Sequence, residues 1–442
     1  MVAGLTALAT VGAAVVVIDR QDHPERVATS LQTPTGEVLS APVGRWKPGA
    51  PTPLRGVRGA MPNAVLSDGR VLVWGTSLGV RPITDGAIYD PKLDAWQHVP
   101  SAPIAGFHDY RWAVARDRLA VVGFDAGARL TGGVYDVVAS TWTRLPVDDT
   151  IRVFFDGLAW DGEDLAVVRV ASGGVGHQDD EQLDWRATAP VTRRWRMGSD
   201  TWTSGAPSPT GLRNLAAVAT DATQVTVWGG TTQSPFTDRP AELEPGSVRA
   251  DGATYELGSD SWIAVPPAPV GGVNAIAAWL DGSLVIGGFT NDLSDVSELD
   301  ARVLSYGLQS QSWTALPSPP TGGAGVTDGF LVRHSMMGQS GPQPQFVYLD
   351  GAWEEAPLQH LRRWGNIVVA TSRTMDNPGD DDFEVQFRVA RDTWLPSAEA
   401  PFVNRMDAVV VVSGNKVVVI GGQAGPSIAP AAETWILELQ PE

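Results

Sequence analysis

Apolar and polar positions alternate along this chain in a unit that recurs about every 40 to 60 residues. Residues 271–320 show it most plainly. An apolar run ending at Leu280 reaches the turn pair Asp281-Gly282, and a second run, Leu284-Val285-Ile286, stops at Gly287-Gly288. A polar loop follows, then Tyr306, then Trp313 seven residues later, then prolines at 317, 319 and 320. Short apolar runs bounded by Gly, Asp and Ser predict strands. Runs that are apolar at every position, such as Val417-Val418-Val419-Ile420, predict strands covered on both faces. Each unit therefore predicts two hairpins joined by a loop.

The aromatic register repeats down the chain. Tyr89 precedes Trp96 by seven, as Tyr135 precedes Trp142, Trp195 Trp202, Tyr255 Trp262, Tyr306 Trp313 and Phe387 Trp394. Tyr348 and Trp353 depart from it, at five. Prolines follow these tryptophans at 100, 146, 207, 266, 317, 357 and 396. The spacing places the first aromatic late in one strand and the Trp at the start of the next. Large rings at fixed positions fill the wedge between neighbouring sheets. A proline ends an outer strand, where a missing N–H costs little. The other half of the unit is Ala64–Leu66, the turn Ser67-Asp68-Gly69, then Arg70–Gly75, and Gly-Gly ends the corresponding strand at 229–230, 287–288 and 421–422. Glycine there lets the chain leave the sheet where a Cβ would clash.

A Gly-Gly after the second strand, a Tyr, a Trp seven later and a Pro beyond resemble the kelch repeat, over about residues 40–442. The resemblance implies an all-β fold, a kelch-like β-propeller of four-stranded blades similar to the central domain of galactose oxidase, of a membrane-anchored bacterial type. The Trp-marked units predict blades near 58–103, 105–149, 154–209, 211–269, 271–320, 322–359 and 361–401. Residues 405–439 hold three strands without a final Trp strand, and Gly44-Arg45-Trp46-Lys47-Pro48 has that strand alone. The N-terminal strand is expected to complete the last blade and close a ring of eight, with seven as the alternative. Blade 3 lacks Gly-Gly, having Val168-Arg169 there, and blades 6 and 7 lack it too.

Composition narrows the function. A net charge of −18 argues against nucleic acid, whose phosphates need a basic surface. The absence of cysteine excludes disulfides and thiolate chemistry. It also excludes the copper radical site implied by galactose oxidase, which needs a cysteine cross-linked to tyrosine. The six histidines show no close metal-ligand spacing, and no cofactor or metal is expected. Residues 1–18 carry no charge and just reach bilayer length, predicting a hydrophobic helix that acts as a transmembrane signal-anchor. Residues 19–39 then read as a linker, and the propeller as lying outside the cytoplasm on a single-pass anchor at the cell membrane.

In a propeller the first strands line the channel, and the loops between blades share one face. Residues near the blade starts are polar and aromatic, and Arg and Asn beside rings suit hydroxyl-rich or carboxylate ligands. The candidate ligand contacts are Arg58, Arg111, Trp112, Arg213, Asn214, Asn274, Arg363, Trp364, Asn404 and Arg405. The alternative is that these groups satisfy strand ends and channel water. The long loops 171–186, 231–250 and 289–300 lie on the same face. Arg193, Arg194 and Arg196 form the basic cluster, either a solvated strand or an anion patch. The expected function is a binding module for a carbohydrate or protein partner at the cell envelope. The alternative is a sugar-acting enzyme (epimerase, lyase or hydrolase) with His108 or Asp109 as base and Arg405 as electrostatic stabiliser.

Overall fold

A computed structural model of the protein describes residues 16–19, 28–32, 38–40, 43–54, 63–78, 81–104, 108–152, 154–170, 190–233, 243, 246–288, 302–320, 323–327, 330–334, 345–358, 360–364, 367–371, 383–402, 408–424 and 429–440. Eight antiparallel four-stranded sheets form the blades of a propeller, each built from strands consecutive in sequence except the last. Blade 1 comprises Asn63–Val65, Val71–Leu78, Arg81–Asp90 and Ala95–Val99; blade 2 comprises His108–Ala115, Arg118–Phe124, Arg129–Asp136 and Thr141–Arg152. Blade 3 has Gly157–Trp160, Asp164–Arg169, Val191–Arg196 and Thr203–Ser204, and blade 4 has Ala217–Asp221, Gln224–Trp228, Gly252–Glu256 and Ser261–Val265. Blade 5 runs Ile276–Leu280, Ser283–Gly287, Val303–Gly307, Ser312–Leu316, and blade 6 runs Gly323–Thr327, Phe330–His334, Gln345–Leu349, Ala352–Ala356. Blade 7 is His360–Trp364, Ile367–Thr371, Val385–Ala390 and Thr393–Pro396. In the eighth sheet Val409–Ser413, Lys416–Ile420 and Thr434–Gln440 are joined by Val43–Gly49, with Trp46 opposite Leu437. The count is eight, and the alternative of seven falls.

Alternation along a strand explains the continuous apolar runs. In Arg118–Phe124, Leu119 and Val121 pack toward blade 1, while Ala120 and Val122 pack toward blade 3. Both faces of the strand are covered, so both must be apolar. A hydrophobic cluster lies in each of the eight seams between neighbouring blades, including the seam between blades 8 and 1, and it is smallest among the described residues between blades 5 and 6.

The Trp and proline signals prove to be one device. Trp142 Nε1–H donates to the Pro100 carbonyl of the preceding blade at 2.7 Å. Trp202 reaches Pro146, Trp313 Pro266 and Trp353 Pro317 in the same way, at 2.8, 2.9 and 2.7 Å. Trp262 donates to Ala206 at 3.0 Å and Trp96 to Ala50 at 2.8 Å. Trp46 donates to Ala398 of blade 7 at 2.9 Å, as an outer-strand Trp of blade 8 would. In blades 1, 2, 4, 5 and 6 the Trp packs on the paired Tyr; the Tyr89 and Trp96 rings lie 4.9 Å apart.

Two departures have local causes. Tyr348 still pairs with Trp353, because Asp350-Gly351 forms a two-residue turn with φ of 49° and 83°, the left-handed pair that suits a tight hairpin. In blade 7 the register shifts between Arg388 and Ala390, so Phe387 faces Leu395 and Trp394 faces Arg388. The equal spacing of Phe387 and Trp394 therefore does not produce the expected pair, and Trp394 Nε1 is buried with no hydrogen-bond partner.

The Gly-Gly of blade 4 confirms the expected close approach. A Cβ on Gly229 would lie 2.6 Å from the Gly272 carbonyl, and one on Gly230 2.7 Å from that of Asn214. Both glycines have positive φ, 67° and 80°.

Near the N-terminus, Val16–Asp19, Ala28–Gln32 and Val38–Ser40 pair as a three-stranded sheet, within the stretch read as the end of an anchor and a linker. Residues 1–15 lie outside the described residues. Among the described residues no helix is long and apolar enough to cross a membrane.

Candidate functional site on the loop face

Antiparallel order puts the connections between blades on one face of the ring, together with the loops joining second to third strands. The first strand of blade 2 starts there at His108, and Arg111 and Trp112 follow. Neighbours on a strand point to opposite faces. Arg111 turns toward blade 3: its Nε–H donates to the Phe155 carbonyl at 3.2 Å, and its guanidinium carbon stands 5.6 Å from the centre of the Phe155 ring. Trp112 lies on the face shared by Tyr110 and Val114 and is 36% exposed, a large ring left in solvent.

Phe155 and Asp156 lie between Arg111 and a second cation. Arg169 ends the second strand of blade 3, at the place where blades 4, 5 and 8 carry Gly-Gly. Its Nε is buried with no hydrogen-bond partner among the described residues. Burial pushes the guanidinium pKa down, opposed by the charge of Asp156. Asp156 is held in turn, with Oδ2 accepting from the Val170 N–H at 2.6 Å. This corner brings Arg111 and Arg169 to Phe155 and Asp156, whose backbone the frame fixes, while Trp112 stands on the other face of the same strand, toward blade 1. Arg169 is not among the residues singled out from sequence. The signal was the break in the Gly-Gly pattern, which placed a cation where the repeat uses no side chain.

Other expected contacts turn inward. Arg213 is 2% exposed, and all three side-chain nitrogens are engaged: Nε with the Thr210 carbonyl at 2.9 Å, one terminal nitrogen with the Gly229 carbonyl at 3.1 Å, the other with Asp251 Oδ2 at 2.9 Å. Burial disfavours the charged form of Asp251, yet Arg213 and Arg249 outweigh it and hold its carboxyl below the ordinary carboxylate range. Asn214 is also buried, its side-chain amide donating to the Gln233 carbonyl at 2.9 Å. These two residues brace the start of blade 4, as the satisfied-strand-end alternative required. Asn274 is exposed, with φ of 54°, a left-handed conformation that Asn tolerates. Its backbone N–H bonds the Leu215 carbonyl at 3.0 Å.

The remaining candidates lie outside the described set: Arg58, Asn404 and Arg405 entirely, and the side chains of His108, Asp109, Arg363 and Trp364. Most of the long loops also lie outside it.

The basic cluster is neutralised piece by piece. Arg193 pairs with Asp148 of blade 2 (N–O 2.5 Å), Arg194 with Asp260 of blade 4 at 3.1 Å, and Arg196 with Glu163 at 2.8 Å. Two of the three are bonds between blades rather than an anion patch. No group of three potential metal ligands occurs among the described residues.

No family model matches the sequence. The Kelch-like protein terF of Aspergillus terreus (strain NIH 2624 / FGSC A1156) is 24% identical over 342 residues, 66% of this chain and 67% of that protein. Two solved structures align over most of the chain. YjhT is 12% identical with a TM-score of 0.35, covering 88% of this chain and 99% of its own. A fungal alcohol oxidase of the AA5 family, in complex with copper, is 14% identical with a TM-score of 0.43, covering 94% and 91%. The Kelch-like relative, the eight four-stranded blades and the Tyr–Trp–Pro register together support a β-propeller of kelch type.

Proposed function

We propose that the chain is a kelch-type binding module that holds a protein partner on the loop face, at the corner of blades 2 and 3. The observation that carries this reading is Arg169, with its buried Nε unmatched among the described residues, across Phe155 and Asp156 from the exposed Arg111, with the exposed Trp112 next to Arg111 on the opposite face of the strand. Elsewhere on this face the buried cation Arg213 is fully engaged with the scaffold. Arg and Trp on a rigid frame are the side chains that most often dominate binding energy. A carbohydrate is the competing ligand, favoured by the exposed Trp112 ring and by the exposed Asn274 on the same face.

The proposal includes tethering through residues 1–18 outside the cytoplasm, supported by their lack of charge. It also includes closure of the ring by Val43–Gly49, supported by its pairing with Thr434–Gln440 and by the bonds of Trp46 to blade 7 and of Ala50 to blade 1.

The test uses the full chain as bait in a cell-envelope extract, with a glycan array in parallel. A partner retained by the native protein and lost with both Arg111→Ala and Trp112→Ala supports the reading. A glycan lost with the same variants replaces the protein by a sugar. Binding indifferent to both variants, or absent from both screens, overturns the assignment of this corner.

A further inference from the structure

The seam between blades 5 and 6 is filled differently from the other seven. Among the described residues, each of the others holds at least eight buried apolar residues, whereas this one holds Val285, Val303 and Leu331, with Leu280, Leu316, Tyr348 and Trp353 partly buried against them. The cause can be traced residue by residue. In blade 5, Leu284, Ile286, Leu304 and Tyr306 pack toward blade 4. Alternation then turns Ser283, Val285, Gly287 and Ser305 toward blade 6. Aligning the strands on the tyrosine pairs, Leu284 with Tyr306 and Val71 with Tyr89, shows what blade 1 carries at these places: Arg70, Leu72, Trp74 and Ile88. Blade 5 lacks the bulk of an arginine, a tryptophan and an isoleucine on one face. The outer edge is nevertheless bolted, since Trp353 donates to the Pro317 carbonyl at 2.7 Å and its ring lies 5.5 Å from that of Tyr348. The seam is therefore held at its rim, with the small side chains of Ser283 and Ser305 on the blade 5 face inside it.

The result is a cleft of about 210 Å³, partly open to solvent. Leu280, Val285, Leu316 and Leu331 with the Tyr348 ring form its apolar and aromatic walls, Phe330 borders it while packing in the blade 6–7 seam, and Asp281, Ser283 and Ser305 supply oxygen acceptors. An apolar cavity of about 150 Å³ accepts a benzene ring, so this space has room for one or two fused rings. The aromatic walls favour a planar ring, and the acceptors favour an N–H or O–H on it.

We propose that the blade 5–6 seam is a binding site for a small planar ring bearing an N–H or O–H donor, of the indole and phenol class. The site is separate from the Arg111–Trp112 corner and does not depend on the role proposed for that corner.

The experiment titrates the full chain with indole and with phenol by ligand-observed NMR, with cyclohexanol as a non-planar control. Saturable indole binding, stronger than that of cyclohexanol, is the expected result. Ser305→Ile restores the side chain that blade 1 carries there. It is expected to raise Tm and to weaken indole binding by about tenfold or more, equivalent to about 1.4 kcal/mol. Ser305→Ala keeps the cleft open but removes one acceptor, and it is expected to weaken indole binding less than Ser305→Ile does. Ser283→Leu fills the space from the neighbouring strand and gives the same loss of binding should Ser305→Ile fold poorly. Absence of saturable binding of either probe to the folded native protein overturns the proposal, as does indole binding that both filling variants leave unchanged. A rise in Tm on filling, without native binding of either probe, marks the cleft as a packing defect and also overturns it.

Discussion

Trp142 and Trp394 occupy the same nominal place in their blades but do different work. Trp142 donates across the seam to Pro100, whereas Trp394 Nε1 has no partner. Trp142→Phe should therefore cost about 0.5–1.5 kcal/mol in urea unfolding, the usual worth of a hydrogen bond. Trp394→Phe should cost measurably less, because the donor it removes is already unmatched. A second device joins two of these seams. Asp94 Oδ1 accepts from the Tyr89 hydroxyl at 2.6 Å and the Ala50 N–H at 2.7 Å; Asp260 Oδ1 accepts from Tyr255 at 2.8 Å and Ala206 at 2.9 Å. Burial disfavours both carboxylates, but these hydrogen bonds outweigh it and leave both pKa values below ordinary. A carboxyl with a lowered folded pKa adds stability that is complete above its unfolded value, about 3.9 for Asp, and lost as pH falls through the folded value. Tm should be flat near neutrality and fall below about pH 4. Asp94→Asn and Asp260→Asn should each make that acid fall shallower.

At the scale of strands, ion pairs between blades matter more than exposed ones. Arg388 of blade 7 bonds Glu354 of blade 6 through two nitrogens, at 2.6 and 3.1 Å, and Glu354 is 3% exposed. Arg388→Ala should cost about 3–5 kcal/mol, because it strands a buried carboxylate. The double variant Arg388→Met with Glu354→Leu should recover most of that loss in thermal unfolding. Neither residue stands out in the sequence, since a strand pattern says nothing about which side chains meet across a seam. The same holds for the turn at Asp350-Gly351: five residues between aromatics look like a break, and only the register shows that the pair survives. In blade 7 the intact spacing of seven hides a slipped pair, because a bulge changes register without changing length.

At the scale of the molecule, Val43–Gly49 is the one blade strand that comes from the opposite end of the chain to its partners. Lys47 meets Glu438 on the paired strand at 2.6 Å, and the Trp46 ring packs edge-on against Phe402 at 5.2 Å. If this strand closes the ring, a chain beginning at residue 42 should melt close to the full-length protein, and one beginning at residue 51 should lose its cooperative transition. Trp46→Ala should cost about 3–5 kcal/mol, the usual cost of removing a packed Trp. Equal stability of the two truncations would show that the ring closes without the strand.

The blades were legible in the sequence because they are local. Hairpins, turn residues and the aromatic register lie within a few dozen residues, and alternation alone states which positions must be apolar. The eight-blade count and the pairing of the two chain ends could be read from the missing Trp strand at 405–439 and the lone one at 44–48. What only the tertiary structure decided is how each polar residue is used. Arg213 and Arg111 look alike as arginines near a blade start, yet one is enclosed by carbonyls and a carboxylate while the other is exposed over the buried ring of Phe155. Their partners lie up to 38 residues away for Arg213 and 44 for Arg111, so they are invisible in a strand's own pattern. The sparsely filled seam between blades 5 and 6 is of the same kind. Ser283, Gly287 and Ser305 are unremarkable singly, and only the packing of one blade on the next turns their small volumes into a cleft.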